Sequence, residues 1–355
     1  MKTYEIAAIP GDGIGKEILP EAVRLLEETA RLDGDFRLEF TSFPWGSDYY
    51  LAHGCMMPAE GLERLREFDA ILFGAVGWPQ VPDSVSLWGL RLAICQGFDQ
   101  YVNLRPARLL PGIRSPLRDK TPADIDFVVV RENTEGEYTG SGGRGHRGLP
   151  GEVAIESALF TRAGVERIIR YAFELARRRP AHRLACVTKS NAQKYGFALW
   201  DEVCSQVAEE FPEVTVERVL VDAMAARMVL HPETLDVVVA SNLHGDILTD
   251  LAAAICGSLG VAPSGNIRPD RALPSMFEPI HGSAPDIAGR GIANPIGMFL
   301  SAALMLEFLG ETRGADRIRS AVERTTAAGQ VLTPDLGGNA RTVDVTNAVI
   351  AALSD

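Results

Sequence analysis

The sequence predicts an α/β protein with a largely parallel sheet covered on both faces, and three observations lead there. The chain opens with an apolar run, a glycine-rich turn and an amphipathic helix in succession. Strand-like and helix-like segments then alternate through its middle. Four of those strands are followed by a cation or a carboxylate, which a parallel sheet would gather along one edge, where such folds bind ligands.

In order, YEIAAIP (4–10) reads as a buried strand, GDGIG (11–15) as a turn, and KEILPEAVRLLEETARL (16–32) as a helix with apolar residues at 18, 22, 25, 26 and 29. DAILFGAVG (69–77) and DFVVVR (126–131) are the next strands. Residues 105–124, rich in Pro and Arg, read as a crossing between domains, and the Gly-rich stretch 138–152 reads as a long loop or an arm. A helix over 161–179 carries Val165, Ile168, Ile169, Ala172 and Leu175 on one face and stops at Pro180. RLACVTK follows, then a helix at about 192–210, a strand over 215–222, a short helix over 223–230, a strand over 235–240 and a helix from about 246. Beyond 257 the chain reads as loops, with helical stretches at 295–309 and 315–328.

At 355 residues the chain exceeds the size at which one core usually stops growing, so two domains are expected. Hydrophobic residues make up 46% and charged residues 23%, a globular balance that argues against disorder. The net charge of −12 speaks against a nucleic-acid partner, and an acidic substrate would need local cations. The five cysteines are odd in number and lack any C-x-x-C pair, which fits a reducing cytoplasm rather than a disulfide framework or a zinc site. No apolar run is long enough to cross a bilayer, so no membrane partner is expected.

The strand-end residues are Arg131, Lys189, Asp222, and Asp246 with Asp250. Positions i and i+4 share a helical face, so Asp246 and Asp250 can offer oxygens to one hard cation, and Asp222 can add a third carboxylate. Oxygen-only ligands favour magnesium or manganese over zinc. From spacing alone, the alternative stays open that Asp246 complements a helix dipole in the first turn while Asp250 is solvated. Lys189, Tyr138, Arg131 and Arg105 are each ordinary surface residues taken singly; an anionic substrate on a metal would employ all four.

GDGIG is not the dinucleotide fingerprint, because position 16 is Lys16. Together with NLHGDILTDLAAAICGSLGVAPSGN, FEPIHGSAPDIAGRGIANP, NLRP, RENTEGEY and TKSN, however, it resembles the β-decarboxylating hydroxyacid dehydrogenases, the isocitrate and isopropylmalate dehydrogenase family. The match runs nearly end to end, and FGAVGWP, VPDSVSLWG and FDQYVNLRP are most similar to the tartrate and D-malate dehydrogenase branch. The resemblance implies a two-domain fold with a mixed, mostly parallel sheet, not a Rossmann dinucleotide fold. Residues 1–101 and 257–355 would form a large cofactor-binding domain, and 102–256 a small domain carrying the dimer interface, the arm and the metal and catalytic residues.

The same resemblance makes Asp222, Asp246 and Asp250 ligands of Mg2+ or Mn2+, with Asp222 from one subunit of a homodimer and the pair from its mate. Arg105 and Arg131 would clamp the carboxylate that is later lost. Lys189 would be the base of the oxidation step and Tyr138 the acid that protonates the product carbon. His281, Gly282, Ser283, Ala284, Asp286, Ile287 and Asn294, with Ile14 and Asn191, would line the cofactor pocket, and Asp286 would favour NAD over NADP by accepting hydrogen bonds from the ribose hydroxyls. A monovalent activator such as K+ is left open.

Two positions depart from the family pattern. Cys95 stands where another arginine is common, and Arg91 lies one helical turn earlier, where isopropylmalate enzymes have an apolar contact. A charge there suits a small dicarboxylic hydroxyacid, D-malate or tartrate, better than a branched alkyl group. His244 stands where an aromatic is frequent. The competing readings are a 3-isopropylmalate dehydrogenase, with the same chemistry and another pocket, and a non-catalytic regulatory subunit, which would be expected to have lost the lysine, the tyrosine or the acids.

Overall fold

The computed structural model describes residues 1–354. The chain begins β1 (Lys2–Gly11), α1 (Gly15–Asp33), β2 (Phe36–Ser42), α2 (Ser47–His53), α3 (Gly61–Leu65) and β3 (Ala70–Ala75). A helical run follows as α4 (Asp83–Ser86), one wide π turn over Leu87–Arg91, and α5 (Leu92–Gly97). Then come β4 (Val102–Arg108), β5 (Asp126–Glu132), β6 (Gly142–Gly145), β7 (Val153–Glu156), α6 (Arg162–Arg178), β8 (Arg183–Thr188), α7 (Gly196–Ala208), β9 (Thr215–Leu220), α8 (Val221–Leu230), β10 (Val237–Ala240) and α9 (Asn242–Ile255). The last elements are β11 (Pro263–Ile267), β12 (Ser275–Pro279), α10 (Ile296–Leu309), α11 (Thr312–Ala328) and α12 (Thr342–Ala352).

Ten strands make one sheet, ordered β2-β1-β3-β12-β11-β4-β5-β10-β8-β9. Six of its pairings are parallel, whereas β11 runs antiparallel to both β12 and β4, and β4 antiparallel to β5. Two parallel halves of opposite direction thus meet at an antiparallel centre, so the strands do not all point one way. The five strands on one side come from 1–101 and 257–355 and the other five from 102–256, apart from the small β6–β7 hairpin. In register, Asn266 of β11, Asn103 of β4, Arg131 of β5 and Ala240 of β10 form one row across the centre.

Helix α6 keeps its expected face, with Val165, Ile168, Ile169 and Ala172 buried, and it ends at Arg179 in the extended conformation that a following proline imposes. Several boundaries differ from the sequence reading. Helix α9 starts at Asn242, so Asp246 sits in its second turn, not its first. Strand β9 stops at Leu220, which moves Asp222 from a strand end into the first turn of α8, and α7 begins at Gly196 after a run of turns. Within the supposed crossing 105–124, residues up to Arg108 belong to β4, a strand the sequence reading missed along with β2, β11, β12 and α12.

Close packing at the first turn explains two glycines. Gly11 has φ +66°, and a Cβ there would lie 1.9 Å from the carbonyl oxygen of Ala75; Gly13 has φ +50°, and its Cβ would lie 2.0 Å from that of Ser283. The turns after β1, β3 and β12 are therefore in backbone contact, fixed by Asp12 N–H donating to Ala75 O (2.9 Å) and Ile14 N–H to Ser283 O (2.9 Å).

Candidate active site

Asp246 is the focus of the polar cluster beneath α9. Its Oδ1 accepts from Arg131 Nη1 and lies 3.7 Å from Arg105 Nη1, and its Oδ2 accepts from the Tyr138 hydroxyl at 3.0 Å. Burial opposes the Asp246 charge, but Arg131, Arg105, the Tyr138 hydrogen bond and Arg91 more than offset it, so its pKa lies below the usual carboxylate value. Burial and the charge of Asp246 raise the Tyr138 pKa, which keeps the phenol protonated at neutral pH. For Arg105, burial and the neighbouring Arg131 pull the pKa down to about 9, against the support of Asp246 and Glu278.

Each arginine has its own anchor. Arg131 donates from Nε and Nη2 to Asn242 Oδ1 (3.0 and 2.8 Å), while Arg105 donates to Asn103 Oδ1 and Thr249 Oγ1, both at 2.5 Å. Arg91 donates from Nε to Glu278 Oε1 at 2.7 Å and from Nη2 to Asn266 Oδ1 at 3.2 Å. Burial works against the Arg91 charge, and Glu278 raises its pKa in spite of that. Cys95 is fully buried with its thiol pushed up to about 11 by burial, so it offers the site no cation and no thiolate.

Asp250 lies one turn beyond Asp246, and among the described residues it neither accepts a hydrogen bond nor pairs with a cation. Burial raises its pKa against the pull of Arg105, and the charge of Asp246 adds to the rise. A divalent cation would relieve that repulsion. Asp246 also has room for one, since a carboxylate offers about four lone-pair sites and its contacts with Arg131 and Tyr138 take two. The donor set therefore fits Mg2+ or Mn2+ on Asp246 and Asp250.

The third expected ligand is elsewhere. Asp222 accepts from Lys189 Nζ at 2.5 Å, which lowers its pKa, and no group of three His, Cys, Asp or Glu side chains among the described residues could hold a metal. One chain thus presents two separate half-sets: Asp246 and Asp250 with the three arginines and Tyr138, and Lys189 with Asp222. His244 of α9 stacks on Phe197 with ring centroids 4.8 Å apart and planes 13° apart, so it does the packing of the aromatic expected there; burial and then Lys189 lower its pKa.

The loop 281–287 lies on the first turn of the chain, and Ala284 adopts φ +41°, a strained value for a residue with a Cβ. His281 Nε2 is buried without a partner, while Nδ1 is 2.9 Å from Gly282 O; Asp286 is exposed and unpaired among the described residues. Asn294 donates to Asp335 Oδ2 at 3.0 Å. The unfilled ring nitrogen of His281 and the open carboxylate of Asp286, five positions apart in one loop, are polar groups that suit an adenosine moiety. Ser283 and Ile287 support the loop; Ile14 is buried with its backbone N–H already taken, so it braces the loop and offers the cofactor no free donor; Gly282 and Asn191 are exposed.

Asn103, Asn242, Asn266, Asn133 and Glu278 escaped the sequence reading. Alternation along β4 puts Asn103 on the face of Arg105, a signal that recognising the strand would have supplied. Glu278 is 187 positions from Arg91 and left no local signal.

A family model described as isocitrate/isopropylmalate dehydrogenase matches residues 5–349. A probable tartrate dehydrogenase/decarboxylase of Agrobacterium vitis is 61% identical over 100% of this chain and 99% of its own. The D-malate dehydrogenase [decarboxylating] of Escherichia coli (strain K12) is 53% identical over 98% of each chain. The crystal structure of isocitrate dehydrogenase from Methylococcus capsulatus superposes with a TM-score of 0.89 at 35% identity, covering 99% of this chain and 100% of that one.

Proposed function

Since the chain belongs to the isocitrate/isopropylmalate dehydrogenase family, we propose that it is an NAD- and divalent-metal-dependent enzyme that oxidises and decarboxylates a small 2-hydroxy diacid, D-malate or tartrate. The observation that carries the substrate class is the grouping of three arginines: Arg131 and Arg105 both meet Asp246, and Arg91 is tied to Arg105 through Asn266 and Asn103. Three guanidiniums suit a compact dianion. A branched alkyl group set against the Nη1 end of Arg91, the end that Glu278 and Asn266 do not hold, would leave that donor unmet, which is unfavourable.

A bound metal would supply a Lewis acid for the hydroxyl and keto oxygens, and NAD would supply the hydride acceptor. The chain's own groups account for the rest. Arg105 and Arg131 hold a carboxylate. Lys189, once it has shed its own proton, takes the proton of the C2 hydroxyl as hydride leaves C2. Carbon dioxide then departs from the β position, and Tyr138, protonated and beside Asp246, returns a proton to the carbon left behind. Asp222 holds the Lys189 ammonium in place before the reaction.

Steady-state rates on D-malate, tartrate and 3-isopropylmalate, with NAD or NADP and Mn2+, test the reading. D-malate or tartrate should exceed isopropylmalate by at least about tenfold in kcat/KM, a difference one misplaced apolar group can produce. NAD should exceed NADP, because Asp286 would repel a 2′-phosphate. A preference for isopropylmalate would overturn the substrate assignment. Gly13→Ala tests the cofactor loop: its Cβ would press on Ser283 O and force the 281–287 loop away, so KM for NAD should rise about tenfold while KM for the hydroxyacid changes little.

We also infer a homodimer with shared sites. The two half-sets need a second copy to meet, and exposed Leu230 and Ile247 on α8 and α9, with Val153 and Ile155 on the β6–β7 hairpin, give apolar surface for one.

A further inference from the structure

We propose that Glu278 is a positioning residue for substrate recognition, locking Arg91 so that one edge of its guanidinium is spent on the sheet while the other faces the carboxylate-binding floor beside Arg105. The inference rests on the hydroxydiacid reading and deepens it.

A guanidinium is a rigid planar fork, so bonding two of its nitrogens fixes where the third points. In Arg91, Nε and Nη2 are held by Glu278 and Asn266; Nη1 has no partner among the described residues, yet it is not sealed from solvent. Nη2 of Arg105 is in the same condition. Here two accessible donor ends remain, on residues only 9% and 5% exposed, and Arg105 lies 3.7 Å from Asp246.

The anchor is stiff. Glu278 is 5% exposed at the end of β12, and its Oε1 also accepts from Asn266 Nδ2 at 2.7 Å. Asn266, wholly buried, receives three donors on one oxygen: Arg91 Nη2, Asn103 Nδ2 (2.9 Å) and Asn133 Nδ2 (3.0 Å). Asn103 in turn accepts from Arg105 Nε. Arg91 and Arg105 are thus set by one connected network on the central strands, where the two halves of the sheet meet; Glu278 is the carboxylate that pairs with Arg91, as Asp246 is the one beside Arg105.

Position and charge can be separated by two substitutions. Glu278→Asp keeps the charge but shortens the arm by one methylene, so Arg91 must retreat. Glu278→Gln keeps the length and the oxygen that accepts from Arg91 but removes the charge. Positioning predicts that Asp is the worse variant, raising KM for the preferred hydroxydiacid about tenfold or more with KM for NAD unchanged and kcat within about threefold, while Gln has the smaller effect. In an Arg91→Met background Glu278→Asp should add less than about twofold. Wild-type KM in Glu278→Asp, a larger effect of Gln than of Asp, or an undiminished effect without Arg91 would each overturn the proposal. Thermal melting of every variant reports folding, and the Asp-versus-Gln order decides the matter by itself if Arg91→Met does not fold. Failure of the underlying reading shows differently, as a wild-type enzyme that oxidises no hydroxydiacid.

Discussion

Lys189→Met is expected to lower kcat by about 10²–10⁴-fold, the range a positioned general base contributes, while affinity for NAD and for Mn2+ stays within about twofold. The lysine sits just past the end of β8, and among the described residues its only charged contact is the 2.5 Å pair with Asp222. Methionine keeps the length and apolar stem of lysine. Asp222 is exposed, so losing its partner leaves a solvated carboxylate and not a buried orphan, and the fold should melt near the wild-type temperature. The loss should therefore appear in turnover and not in yield. The measurement is a single-turnover record of NADH formation from the preferred hydroxydiacid, with NAD binding followed separately. Hydride transfer at the wild-type rate in Lys189→Met would remove this residue from the oxidation step.

Local pattern carried a good deal of this architecture, and its failures have physical causes. Helix α6 and strand β5 were legible because burial on one face or on both writes a period into the sequence. Strand β11 was not, since PSGNI contains a proline, a glycine and an asparagine, and its strand character comes from neighbours on both sides rather than from its own propensities. Strand β4 read as a domain crossing because arginine and proline at 105 and 106 suggest surface, whereas Arg105 is buried by its partners in the site. The start of α9 was placed four residues late because Asn242 and His244 are weak helix formers; tertiary contacts hold them, Asn242 to Arg131 and Glu135, and His244 to Phe197. The candidate acids, bases and clamps stood out as residue types at strand ends. Their anchors did not, because an amide in a buried row looks like any loop amide until its strand is paired.

Asp246→Asn should cost at least about 10²–10³-fold in kcat/KM, the magnitude associated with losing one preorganised electrostatic contact in an active site. Asparagine keeps the volume and one acceptor oxygen, and Arg131 retains both bonds to Asn242, so the helix start should survive. What disappears is the charge that balances Arg131, Arg105 and Arg91 and pairs with Asp250 toward a cation, and Mn2+ affinity should fall in parallel with activity. Combining this variant with Lys189→Met makes the subunit arrangement testable. Lys189 and Asp222 travel together in one chain and Asp246 with Asp250 in another place. If two copies complete each other's sites, a dimer of one Lys189→Met chain and one Asp246→Asn chain contains one intact site and one doubly damaged site. Random reassortment of the two inactive proteins should then restore about a quarter of wild-type turnover, because half of the dimers are mixed and half of their sites are whole. Sites built within single chains would each keep one lesion, and the mixture would stay as inactive as its parts.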